Sequence, residues 1–100
     1  MKISVLIKDP GKNPRHVHIE NSLKNLQNTV GGYIETVTLS DDAVIICNEE
    51  GRLKGLEDNC WLLGVHFVGP ILIVGVDGDK FTDLPEGMLH MFRFNGKGLA

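Results

Sequence analysis

An α+β fold, with a small mixed or antiparallel sheet of about five strands and two short helices, is what this sequence predicts, and three patterns predict it. Near the amino terminus Ile3, Val5 and Ile7 alternate with Lys2, Ser4 and Lys8, the period of a strand with one face inward. Two uninterrupted aliphatic runs, 43–47 and 71–74, have the length and composition of strands buried on both faces. Between them and the amino terminus, Leu23, Leu26 and Val30 recur at helical spacing.

Taken in order, the first strand is stopped by the turn-forming residues Asp9-Pro10-Gly11-Lys12-Asn13-Pro14. A second strand follows over 15–20, with Val17 and Ile19 on one side and His16 and His18 on the other, so the first two strands are expected to form a hairpin. Asn21 or Ser22 can cap the helix carrying Leu23, Leu26 and Val30, and Gly31-Gly32 supplies its left-handed exit. Residues 33–39 are rich in β-branched side chains and read as a third strand; Ser40-Asp41-Asp42 turns the chain into the apolar run 43–47, a central strand. Asn48-Glu49-Glu50-Gly51 reads as a tight turn with Gly51 suited to a positive φ.

The stretch 52–63 has no clear period, and Leu53, Leu56, Leu62 and Leu63 suggest irregular or short helical packing over the core. Gly69-Pro70 introduces the strand 71–74, and Asp77-Gly78-Asp79 reads as a hairpin tip, since a calcium loop needs further ligands that do not follow. Asp83-Leu84-Pro85-Glu86 has the signature of a helix start, with Met88, Leu89 and Phe92 as its apolar stripe, and the tail 95–98 is expected to fray. This order of elements resembles a β-grasp-like arrangement.

At 100 residues the chain holds one core, so 1–100 is read as a single domain. Apolar residues make up 42% and charged ones 23%, which excludes the composition of a disordered chain. The first thirty residues carry five basic and two acidic groups, the rest five basic and eleven acidic. Five spaced basic groups fall short of the clustered footprint of a nucleic-acid binder, which argues against that class. No apolar window approaches the ~20 residues of a membrane span. Cys47 and Cys60 have no CxxC spacing and no signal peptide precedes them, so a cytoplasmic protein with reduced thiols is expected.

Few residues offer chemistry. His16 and His18 on one strand face can present two imidazoles to one metal ion, although solvent-facing histidines on an edge strand are the commoner case; Cys47, Cys60, His66 or His90 can converge on them in three dimensions, but nothing in their spacing requires it. Cys47, at the end of an apolar strand, reads first as a small core residue and only second as a nucleophile. No cofactor is implied. The richest polar stretch runs from Cys47 to Leu56 and on to Asn59, placing amide, carboxylate, guanidinium and ammonium groups where the chain leaves a buried strand. Asn48 and Glu49 can equally serve the turn's own backbone donors, with Leu53 and Leu56 docking the segment on the core.

Gly31-Gly32-Tyr33-Ile34-Glu35, the run Cys47-Asn48-Glu49-Glu50-Gly51-Arg52-Leu53-Lys54-Gly55-Leu56 with Asn59, and Gly69-Pro70-Ile71-Leu72-Ile73-Val74-Gly75 together resemble a family of small proteins of bacteria, bacteriophages and conjugative elements grouped as a domain of unknown function. The resemblance covers roughly residues 2 to 85. After Asn59 relatives place Arg-Ala where this chain has Cys60-Trp61, and the stretch to His66 is shorter, so the role of that arginine does not carry over. The resemblance implies an accessory protein of a mobile element, with no catalytic residues to transfer. The expectation is therefore a non-enzymatic binding module for a protein or a small anionic ligand, in the manner of counter-defence proteins, with Tyr33, Asn48, Glu49, Arg52, Lys54 and Asn59 as its contact residues. The alternatives are a small metal-dependent or nucleotide-processing enzyme built on His16 and His18, and a structural or regulatory subunit that forms homo-oligomers through exposed sheet edges.

Overall fold

A computed structural model describes residues 1–88. Eight strands and one complete helix follow in the order β1 (Lys2–Lys8), β2 (Arg15–Glu20), α1 (Leu23–Val30), β3 (Ile34–Ser40), β4 (Ala43–Asn48), β5 (Asp58–Leu62), β6 (Val65–Val68), β7 (Ile71–Asp77) and β8 (Lys80–Thr82). A second helix begins at 86–88; Leu89, His90, Phe92 and the tail 95–98 lie outside the described residues. The main sheet has six strands in the order β2-β1-β7-β4-β3, with β8 added to β7, and every pairing is antiparallel. The fold is α+β, as expected, and the mixed alternative gives way to an antiparallel sheet.

Strand alternation divides the sheet into two faces, each with its own cover. Ile3, Val5, Ile7, Val44, Ile46, Leu72 and Val74 point to one side, where Leu26 and Val30 of α1 pack on them. Leu6, Ile45, Cys47, Ile71 and Ile73 point to the other, beneath Cys60, Leu62 and Phe67 of the β5–β6 hairpin and Leu84. This explains the uninterrupted apolar runs of β4 and β7: strands clad on both faces have no solvent side, and all six residues of β4 are buried.

The anticipated caps of α1 are present. Ser22 Oγ accepts from the Asn25 amide, and Gly31 closes the helix at φ 83°, its amide donating to Gln27 O. Leu23 leaves the expected stripe and is exposed, because α1 is short and only its Leu26–Val30 side meets the sheet.

The principal correction concerns 52–63. Instead of irregular or helical cover, 58–62 forms β5 and pairs with β6 as a second, two-stranded sheet. Its tip is Leu63-Gly64, both at positive φ (52° and 75°), a primed turn built without the usual Asn-Gly signal. Leu63, expected in the core, is therefore exposed. Gly51 does not have a positive φ. Its need for glycine is spatial: a Cβ there would lie 3.0 Å from Val68 Cγ2 and 3.4 Å from Leu56 Cδ1.

Candidate functional site

Between β4 and β5 the chain forms a polar loop, 49–57, whose two ends are held by buried or half-buried asparagines. Asn48 is buried; its Nδ2 donates to Val30 O at 3.1 Å and its Oδ1 accepts from the Glu50 amide at 2.8 Å. These bonds commit the amide to the helix end and to the turn, while the residue still borders the recess described below.

Asn59 is also committed internally, its Nδ2 donating to Lys8 O at 2.8 Å and to Gly69 O at 2.7 Å. The Asn59 Oδ1 accepts from Lys8 Nζ at 3.0 Å. Lys8 reaches this position because, like Leu6, it points towards the β5–β6 side of the sheet. The ammonium of this buried lysine is thus shared between Asn59 and the Asp9 carbonyl. Asn59 is an anchor between β1, β5 and the turn before β7.

What the anchored loop presents is different. Glu49, Arg52, Leu53 and Lys54 are exposed, and Leu53, expected to dock on the core, is 86% exposed at the tip. Tyr33, 67% exposed, stands just before β3, and its carbonyl accepts from the Glu49 amide at 2.9 Å. The core-docking leucine of the loop is Leu56, which packs at Gly51 and closely over Gly69, where φ is +72° and a Cβ would lie 2.6 Å from Leu56 Cδ1.

Two recesses flank the loop. One, of about 480 Å³, runs between β3 and β6; its floor and walls include Val37, Cys47, Leu53 and Phe67, and its polar groups are Glu35, Asn48, Glu49, Arg52 and His66. The other, of about 450 Å³, lies beside Gly31 and Gly32 at the end of α1, with Tyr33, Glu50 and Lys54 on its rim. Gly32 is required there: a Cβ would come within 2.9 Å of both the Asn48 amide nitrogen and Lys54 Nζ.

Arg52 and His66 organise the wall of the first recess. The Arg52 guanidinium donates to the His66 carbonyl at 2.6 Å, tying the loop to β6. The His66 ring stacks on Trp61, centroids 4.9 Å apart and planes 22° from parallel, and its Nε2 lies 3.4 Å from Asp58 Oδ1. Sequence reasoning passed over Trp61, His66 and Glu35 as a group because it assigned no strand to 58–62. The cross-strand pair Trp61–His66 exists only once β5 and β6 are in register.

Cys47 lines the same recess with its thiol pushed up to about 11, first by burial and then by the Glu35 carboxylate. Burial also pushes the Cys60 thiol up, opposed by Lys8. Both are free cysteines held as thiols at neutral pH. A thiol that keeps its proton to about pH 11 when folded, against 9 as a reference value, contributes stability that is fully present below pH 9 and is lost as pH rises towards 11. The urea midpoint is therefore expected to fall across that window, and to fall less steeply in Cys47→Ala. Identical slopes for the two proteins would contradict the assignment.

The histidines of β2 lie elsewhere, on the far edge of the sheet. His16 and His18 are exposed with ring centroids 5.3 Å apart, and His16 Nε2 is 2.6 Å from Ser4 Oγ. Among the described residues no group of three His, Cys, Asp or Glu side chains is placed to hold a metal ion. Cys47, Cys60 and His66 belong to the β5–β6 side and do not join the histidine pair, and His90 lies outside the described residues.

No helix among the described residues is long and apolar enough to cross a membrane. Fold and site together define a small α+β domain that displays an anchored polar loop beside a cleft. The chain belongs to the family described as Domain of unknown function (DUF3846), whose model matches residues 1–94. No curated protein and no solved structure matches it.

Proposed function

We propose that the protein is a non-enzymatic binding module whose contact surface is Tyr33, the loop residues Glu49, Arg52, Leu53 and Lys54, and the cleft between β3 and β6. One observation carries this reading: a leucine exposed to 86% is presented at the tip of a loop whose ends are fastened by Asn48 and Asn59. Pre-ordering such a loop lowers the entropy cost of binding, and a rigid scaffold holding an exposed apolar tip is the usual construction of a contact surface. Tyr33 adds an amphipathic ring of the kind enriched at interface hot spots.

A protein partner is favoured over a small anion, because two carboxylates, Glu35 and Glu49, face the larger recess. The resemblance carried by the 31–35, 47–56 and 69–75 motifs supports an accessory role for a phage or mobile element, including the blocking of a host defence. Free, buried Cys47 and Cys60 support action in the reducing cytoplasm.

The test uses Leu53→Asp and Tyr33→Ala in the intact chain. Both residues are exposed, so the free energy of unfolding is expected to stay within about 0.5 kcal/mol of the parent. Recovery of the specific partner from host extract is expected to fall about tenfold or more. Undiminished recovery by both variants would refute the reading.

A further inference from the structure

The two edges of the main sheet are unlike. β2 carries Arg15, His16, His18 and Glu20, all exposed, which is the charged edge that discourages pairing with another chain. β3, the opposite edge, reads Ile34-Glu35-Thr36-Val37-Thr38-Leu39-Ser40: no lysine, no proline, one charge, and a β-branched centre. Its only strand partner among the described residues is β4.

The hydrogen-bond phase of that edge follows from one contact. The Glu49 amide donates to Tyr33 O, which marks Tyr33 and Glu49 as a bonded pair in the β3–β4 register. Alternation then makes Glu35–Cys47 and Val37–Ile45 the bonded pairs, and turns the N–H and C=O groups of Ile34, Thr36 and Thr38 outward. The register shift between Thr38 and Ser40 ends the regular edge. Five residues, roughly 17 Å, are left as a template for an incoming strand.

The cleft lies along this same strand. Glu35 and Val37 project into it from β3, facing Leu53, Val65 and Phe67 across the gap. Neither Glu35 nor Glu49 has an ion-pair partner among the described residues, and the one guanidinium present, Arg52, is bonded to the His66 carbonyl. The cleft thus combines an apolar floor with two carboxylates that outnumber its single guanidinium and form no ion pair with it, directly beside unpaired main-chain groups.

We infer that the partner binds by adding an extended segment antiparallel or parallel to β3, with alternate side chains entering the cleft, apolar on Val37 and Phe67 and lysine or arginine on Glu35 and Glu49. Main-chain bonds to Ile34, Thr36 and Thr38 supply affinity, and the cleft supplies selectivity for a segment whose every second residue, the set on the cleft face, includes both apolar and basic side chains. A second copy of the chain fits less well. Antiparallel β3–β3 pairing centred on Val37 sets Glu35 against Leu39 and brings neither cleft a cation beyond its own Arg52. The inference rests on the binding-module reading and specifies the partner's chemistry.

Two fluorescent octapeptides, one repeating Val-Thr-Lys-Thr and one repeating Val-Thr-Glu-Thr so that apolar and charged side chains take turns on a single strand face, are the probes, read by anisotropy against the intact protein. The lysine peptide is expected to bind, and to weaken about tenfold or more on Thr36→Pro, on the double change Glu35→Lys with Glu49→Lys, and when its own alternate amides are N-methylated. Thr36→Pro removes an outward N–H without breaking a β3–β4 bond, so the sheet tolerates it on an edge. The N-methylated peptide repeats the test on unaltered protein. No binding of the lysine peptide, equal binding of the glutamate peptide, or indifference to both Thr36→Pro and N-methylation would overturn the inference. So would a dimer, seen by light scattering, that Thr36→Pro dissociates while peptide binding is absent. Partner recovery lost in Leu53→Asp but retained in Thr36→Pro would sink strand addition and leave the binding-module reading standing.

Discussion

Gly75→Ala is expected to destabilise the protein by about 3 kcal/mol or more, since a methyl group there meets its neighbours more closely than at any other glycine among the described residues. Gly75 lies in β7 between Ala43 of β4 and Thr82 of β8. An added Cβ would overlap the carbonyl oxygen of Asp83 and approach Thr82 Cγ2 to 3.1 Å. Truncating Thr82 cannot relieve a clash with a main-chain oxygen. The 83–84 segment must move, and it seals one end of β1: the Ser4 amide donates to Asp83 Oδ1 at 2.8 Å and the Leu84 amide to Ser4 O at 2.8 Å. Its displacement also uncovers Leu84 in the core beneath β5–β6. Urea denaturation measures the loss, and hydrogen exchange at the Ser4 and Leu84 amides locates it. A variant as stable as the parent, with both amides still protected, would show that the Asp83 carbonyl does not press against β7 at Gly75.

Asn59→Ala is expected to cost about 3 kcal/mol, because one amide serves two carbonyls and a buried ammonium. The carbonyls of Lys8 and Gly69 lose their donor, and Lys8 Nζ keeps only the Asp9 carbonyl among the described residues. Leaving a buried charge under-bonded is costlier than removing it together with its partner. Combining Asn59→Ala with Lys8→Met should therefore cost less than the two single changes summed, by about 1–2 kcal/mol. Strict additivity in urea titrations, or a single-variant cost below about 0.5 kcal/mol, would mean that the Lys8–Asn59 link does not hold the hairpin to β1.

Much of the fold was legible because its signals are local. Ile3, Val5 and Ile7 announce β1 by period, and Ser22 with Gly31 brackets α1 by hydrogen-bonding and φ preference. The unbroken runs in β4 and β7 announce burial on both faces. The β5–β6 hairpin was not legible. Asp58-Asn59-Cys60-Trp61-Leu62 lacks β-branched residues and a conventional turn, and Leu63 takes the positive φ usually given to glycine or asparagine. Its strand state comes from Cys60, Leu62 and Phe67 finding the open face of the main sheet.

The candidate site divides along the same line. The polar density of 48–59 marked a segment that folds as an anchored, largely exposed loop, but residue type could not separate Asn48 and Asn59, turned inward to serve backbone groups, from Arg52 and Lys54, turned outward. Leu53 and Leu56 are the same residue three positions apart, one at the exposed tip and one over Gly69.

By itself the sequence determined the α+β class, the hairpin β1–β2, the capped helix and the two doubly buried strands, since each follows from spacing, capping or turn chemistry within a few residues. Tertiary structure alone decided that 58–62 is a strand, that Gly51 and Gly75 are glycines for space, and that Glu35 and Glu49 share a cleft. Those outcomes depend on which surfaces meet across the chain, and contact between distant segments leaves no period in the residues that make it.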